Sequence, residues 1–145
     1  MNYFVFCLCL LFLLCPGLDG EESGGFALTI QVSGAESSAG HIHLYIFTSK
    51  TDYLKVPIKG KHLSVDEEGR AVFNFKLSEG KYSICAFHDK NGNGKLDKGF
   101  LGIPTELFAF SNQAKGLFGP PSFQSTLFEL SKDTSLKLRL GKAKD

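Results

Sequence analysis

Tryptophan is absent from this chain, methionine occurs once, and only four cysteines and five prolines are spread through 145 residues. Three of the cysteines, Cys7, Cys9 and Cys15, fall in the first fifteen residues. If that segment is removed, Cys85 is left alone, which excludes an internal disulfide. The fold then has to be held by packing. Excess charge is also missing: 16 basic residues face 15 acidic ones, a net +1. With that balance nothing suggests a broad nucleic-acid- or membrane-binding face. No Gly-x-Ser-x-Gly elbow, His-Glu-x-x-His motif or phosphate loop occurs, which removes the most direct hydrolase and nucleotide readings. There is no internal repeat, and no apolar run reaches the roughly 20 residues that cross a bilayer.

What is present begins with a leader. Tyr3–Cys15 is an apolar run of 13 residues, followed by Pro16, Gly17 and Gly20. Its length and the small residues after it fit a secretory signal peptide over residues 1–20, although no Lys or Arg precedes it. Export to a periplasmic, cell-surface or extracellular location is therefore expected. Lipid attachment at Cys15 is not favoured, because Phe12-Leu13-Leu14 lacks the small residue usual before a lipidated cysteine. The remaining length, about 125 residues, can bury a core.

Beyond the leader, apolar residues alternate. Phe26, Leu28, Ile30 and Val32 share one face, as do Ile42, Leu44 and Ile46, then Ala71, Phe73, Phe75 and Leu77. Leu136, Leu138 and Leu140 repeat the pattern near the end, after a shorter stretch over Ser125–Leu130. Period-two alternation marks half-buried strands. Tyr82–His88, reached from Arg70–Leu77 by the tight connection Ser78–Tyr82, is expected as its hairpin partner, and being apolar on both faces it reads as central in its sheet. Thr48–Gly69, broken by Pro57 and Gly60, has room for one short edge strand, and Gly99–Phe123 has no period at all. No helix of useful length is expected. The reading is an all-β, immunoglobulin-like or transthyretin-like antiparallel β-sandwich of about seven strands over residues 24–141, with a long Phe-rich loop.

The segment "HDKNGNGKLD", His88–Asp97, carries the clearest chemistry. Asp89, Asn91 and Asn93 occupy positions one, three and five of a calcium loop, and Gly94 occupies the turning sixth. Lys95 would give its backbone carbonyl at position seven and Asp97 its carboxylate at position nine. The twelfth position is Phe100, so the bidentate carboxylate is missing; Glu106 is the nearest replacement. With Lys90, Lys95 and Lys98 adjacent, calcium binding is expected to be weak at most. The competing reading is a plain turn network, since Asn-Gly pairs turn the chain and Asp caps backbone amides without any ion.

Other constellations are weaker. His41 and His43 share a strand face and, with His62 and His88, suggest a histidine-based transition-metal carrier or a hydrolase as the alternative function. His88 and Asp89 are adjacent on an extended chain and should point to opposite faces. Cys85, on the central strand, reads as inert packing. Phe100, Phe108, Phe110, Phe118, Phe123 and Phe128 form either a small second core under the long loop or an aromatic surface for a peptide, glycan or lipid.

"LSEGKYSICAFHDKNGNGKLD", "LGIP", "FSN" and "FGPPSF", in that order, resemble the DUF2141 family of bacterial proteins over roughly Phe26–Leu140. The resemblance implies export and a β-rich fold, and brings no established reaction. Ala109 stands where the family usually has glycine, and glycine and tyrosine are usual near Leu107 and Phe108, which suggests a locally altered backbone. The combined expectation is a non-enzymatic binding or structural module whose partner is a protein, peptide or glycan.

Overall fold

The computed structural model describes residues 24–143. The expected leader, with Cys7, Cys9 and Cys15, lies outside the described residues. Eight strands form: β1 (Phe26–Ser33), β2 (His41–Phe47), β3 (Lys59–Ser64), β4 (Arg70–Leu77), β5 (Gly80–Asp89), β6 (Phe108–Phe110), β7 (Phe128–Leu130) and β8 (Thr134–Arg139). They make a three-stranded sheet, β4-β1-β8, and a five-stranded sheet, β3-β2-β5-β6, with β7 also on β5. The architecture is all-β and sandwich-like. All pairings are antiparallel except β1 with β8, which run parallel.

The alternating residues face each other across the interior. Leu28, Ile30 and Val32 of β1, Ile42, Leu44 and Ile46 of β2, and Phe73 of β4 are fully buried in one cluster. Leu138 and Leu140 close it at the end of the chain, while Phe26, Phe75 and Leu136 pack at its margin. In β1 the polar face turns outward, where the Thr29 hydroxyl donates to the Asn74 side chain. Burying side chains of this size stabilises a fold by about 1.5–3 kcal/mol each, which is how a domain with a single thiol can stand.

Three expectations need correction. Arg70–Leu77 and Tyr82–His88 are not hairpin partners: β4 pairs with β1 in the smaller sheet and β5 with β2 in the larger, so the short link between them crosses from one layer to the other. The stretch Ser125–Leu130 is a strand only from Phe128; before it, Phe123–Thr126 is one turn of helix, α1. Ser122 caps that turn by accepting from the Ser125 N–H, and the preceding Pro120-Pro121 sets its entry. The aperiodic stretch Gly99–Phe123 is not structureless either. It holds β6 between two short 3₁₀ turns, Phe100–Gly102 and Ser111–Gln113. Three residues are too few to show a period, so the strand has no signature in sequence. Ala109 sits in regular register with Ala86 and is buried, so the departure from glycine is absorbed as core packing without local distortion.

Strand β5 organises the larger sheet. One edge pairs with β2; the other pairs first with β7 and then with β6. Ile84 falls in the gap between those two short partners. There Ser111 supplies what a strand would: its hydroxyl accepts from the Ile84 N–H at 3.0 Å and also bonds the Thr126 carbonyl. Asn112, in a left-handed conformation, donates to the carbonyls of Ser125 and Leu127. The "FSN" motif thus acts as a splice that joins β6 to the approach of β7.

Candidate functional site

Strand β5 ends at Asp89, and the loop that follows is wound around that one carboxylate. Oδ1 accepts from the N–H groups of Gly92 and Asn93, at 2.8 and 3.1 Å, and Oδ2 accepts from Gly94 N–H at 2.7 Å. Gly92 and Gly94 adopt positive φ, which lets successive amides turn inward on the carboxylate. Gly40 approaches from the other side. A Cβ there would lie 2.0 Å from the Asp89 carbonyl oxygen, so only glycine fits.

All five residues expected to form the calcium loop come together. The Asn91 amide donates to Asp97 Oδ2 at 2.7 Å and the Asn93 amide to Asp97 Oδ1 at 2.8 Å. Lys95 donates its N–H to the Asn93 side-chain oxygen. Glu106, nine residues beyond Asp97, folds back onto the loop, where its two oxygens accept from Lys90 N–H and Asp97 N–H, both at 3.0 Å. Each carboxylate oxygen of Asp89, Asp97 and Glu106 therefore accepts a hydrogen bond from the protein.

Asp89 and His88 do point to opposite faces. His88 turns inward and is buried, and its Nε2 donates to the Ala39 carbonyl at 2.8 Å. A carbonyl can only accept, so that nitrogen carries the proton. Asp89 points to the outer face of the five-stranded sheet, where Oδ2 lies 3.2 Å from His43 Nε2. Burial alone would raise the Asp89 pKa, but the loop amides, Gly94 foremost, and His43 outweigh it and hold the carboxyl below its usual value. Burial lowers the His43 pKa against the pull of Asp89. Neutral His43 then donates Nε2–H to Asp89 and offers Nδ1 to the Tyr45 hydroxyl at 3.4 Å.

The histidine cluster differs in membership from the expectation. His62 on β3, not His88, joins His41 and His43. The His43 ring stacks between Phe87, at 4.9 Å, and His62, at 5.2 Å, while His41 meets His62 edge-on at 5.5 Å. Rings stacked face to face hold their nitrogens apart. Among the described residues no three His, Cys, Asp or Glu side chains are arranged to hold a metal ion. Cys85 lies on the same outer face, and burial pushes its thiol up to about 12, so it is protonated at neutral pH.

Beside this cluster lies a feature that sequence reading reached only as the aromatic-surface alternative for the Phe-rich stretch. A groove of about 1130 Å³ crosses the outer face of the five-stranded sheet. Tyr45, Phe47, Phe87, Phe108 and Phe110 line its floor, and Leu54, Leu101, Ile103, Leu117 and Phe118 line its rim. The Phe-rich stretch thus divides: Phe110 is buried and Tyr53 packs against both Phe110 and Phe123, whereas Phe100 and Phe118 stand in solvent. A signal for the exposed half existed only as apolar residues flanked by glycine, a pattern equally common in buried turns.

No helix among the described residues is long and apolar enough to cross a membrane. No curated protein and no solved structure matches the chain. One family model does, over residues 30–137, described as an uncharacterized protein conserved in bacteria (DUF2141). That match spans most of the sequence, including β2 to β7 and the Asp89 loop, and the chain belongs to the DUF2141 family.

Proposed function

We propose that this chain is an exported, non-enzymatic binding module whose partner occupies the groove on the outer face of the five-stranded sheet. The observation that carries this reading is the uncovered apolar rim around an aromatic floor. Exposed apolar patches of this kind mark interaction sites, because leaving them in water is unfavourable. The chemistry nearby supports binding over catalysis: the Cys85 thiol is protonated and His88 is committed to a backbone carbonyl. The expected test uses anilinonaphthalene sulfonate, an apolar anionic dye, on the folded protein. Its fluorescence should rise and saturate near one equivalent, and Ile103→Asp on the rim should reduce it. A dye spectrum unchanged by the protein would sink the reading.

Weak calcium occupancy of the Asp89 loop is a second, subordinate proposal. Its support is the loop spacing of Asp89, Asn91, Asn93 and Asp97, with Glu106 folded onto them, although the three carboxylates are not gathered around one point. Against it, an ion would have to turn the Asn91 and Asn93 amides over, because both present N–H to Asp97. Binding at the weak end of extracellular modules, about 10⁻³ M, would raise the unfolding temperature only at several millimolar calcium. No rise at 10-fold that Kd would leave the loop a self-sufficient brace.

A further inference from the structure

We propose that the groove face docks on the surface of an anionic lipid bilayer, inserting two apolar turn tips. This deepens the binding reading above and rests on it. Two short segments have the same construction: Gly99-Phe100-Leu101-Gly102 and Gly116-Leu117-Phe118-Gly119. Each brackets an apolar pair with glycines, and each turns sharply. In the first, Gly102 N–H closes on the Gly99 carbonyl, with Gly102 at φ 72°. In the second, Gly116 packs so close to the Gly119 carbonyl that a Cβ would lie 2.0 Å away. Pro120-Pro121 then fixes the exit.

The outcome is the same at both tips. Phe100, Leu101, Leu117 and Phe118 are 90, 81, 94 and 104% exposed. Leu101 is held at φ 65°, a conformation that side-chain-bearing residues rarely adopt, and persistent strain of this kind collects at functional sites. These side chains stand in solvent, three of them at the rim of the groove. A small molecule in the groove would leave most of their surface wet, whereas an extended apolar layer offers enough area to take up both tips.

Charge selects the kind of layer. Among the described residues, Lys55, Lys95, Lys98, Lys115, Arg139 and Lys142 line the groove and no Asp or Glu does. Lys142 is shared with Glu36 and Lys115 is also partnered, so Lys55, Lys95, Lys98 and Arg139 carry the charge argument. In a chain whose overall charge is +1, this one-signed rim complements acidic headgroups. Lysines at an anionic membrane surface strengthen binding about fivefold each, and apolar side chains sunk to the headgroup boundary supply the rest.

The absence of native tryptophan makes the test direct. Phe118→Trp places a single indole on one tip, to be mixed with vesicles of phosphatidylglycerol and phosphatidylcholine or of phosphatidylcholine alone. The expected result is a blue shift and co-sedimentation with the anionic vesicles only. Lys95→Gln with Lys98→Gln should weaken binding about 25-fold, and Leu117→Ser should abolish it while circular dichroism stays native. An unshifted spectrum at millimolar anionic lipid overturns the proposal; if the dye still saturates the groove, the binding reading survives it. A lipid-free shift that grows with protein concentration, with a dimer mass by light scattering, overturns it in favour of a second copy of this chain.

Discussion

Asp89 is the residue on which the site turns. It is almost wholly buried, yet its carboxylate is served by three backbone N–H groups and one imidazole, so its charge is stabilised where burial would oppose it. Asp89 and His43 together make stability depend on pH in two stages. Folding lowers the His43 pKa, so on acidification the unfolded chain takes up that proton first. This contribution is complete above about 6.5 and is lost as pH falls below it. Folding also lowers the Asp89 pKa. Its contribution is complete above about 3.9 and is lost as pH falls through the folded-state value. His41, His62 and Tyr45 face the same pair, so the test must be differential. Urea midpoints at pH 7.5, 5.5 and 3.5 should fall in two steps for the native chain, and His43→Gln should shrink the first. An unchanged first step would assign the loss to another group.

At the scale of elements, β5 shows what sequence reading reaches and where it stops. Its central place follows from a run apolar on both faces. Its pairing with β2 does not follow, because the short link from β4 suggests a hairpin with that strand instead. Nor does its other edge, because two three-residue partners, β6 and β7, share it, and neither is long enough to alternate visibly. The joint between them depends on one hydroxyl. Ser111→Ala would leave the Ile84 N–H buried without a partner, at a cost of about 2 kcal/mol. The urea midpoint should drop with an unchanged slope, and hydrogen exchange at Ile84 should accelerate above that of its neighbours in β5. If Ile84 exchange stays as slow as in the native chain, Ser111 is not the partner that protects it. The Asp89 loop was legible in the same partial way. Its oxygen-bearing residues and glycines stand at fixed spacing, and Glu106 was identifiable as the nearest carboxylate. What sequence did not contain was the direction of each amide, which the neighbouring N–H groups decide.

For the whole molecule, the two sheets are joined by side-chain packing and by a backbone bridge between Phe108 and Gly141, and the phenylalanines divide between that core and the outer surface. Phe73 is fully buried at the centre of the core, whereas Phe118, the same side chain, stands entirely in solvent. Alternation identified the first, because β4 carries Ala71, Phe73 and Leu77 on one face; nothing periodic surrounds the second. The difference should appear in stability. Phe73→Ala removes a buried ring and leaves a cavity, costing about 3–5 kcal/mol. That is a large share of the roughly 5–15 kcal/mol that holds a domain folded. Each kcal/mol shifts the melting temperature of a domain this size by about 3–5 °C, so a fall on the order of 10–20 °C is expected. Phe118→Ser removes nothing from the core and should leave melting within about 2 °C, since exposed substitutions stay near ±0.5 kcal/mol. Scanning calorimetry of the two variants settles the division. A large loss from Phe118→Ser would mean that its turn packs on the sheet, and the uncovered rim on which the binding reading depends would disappear.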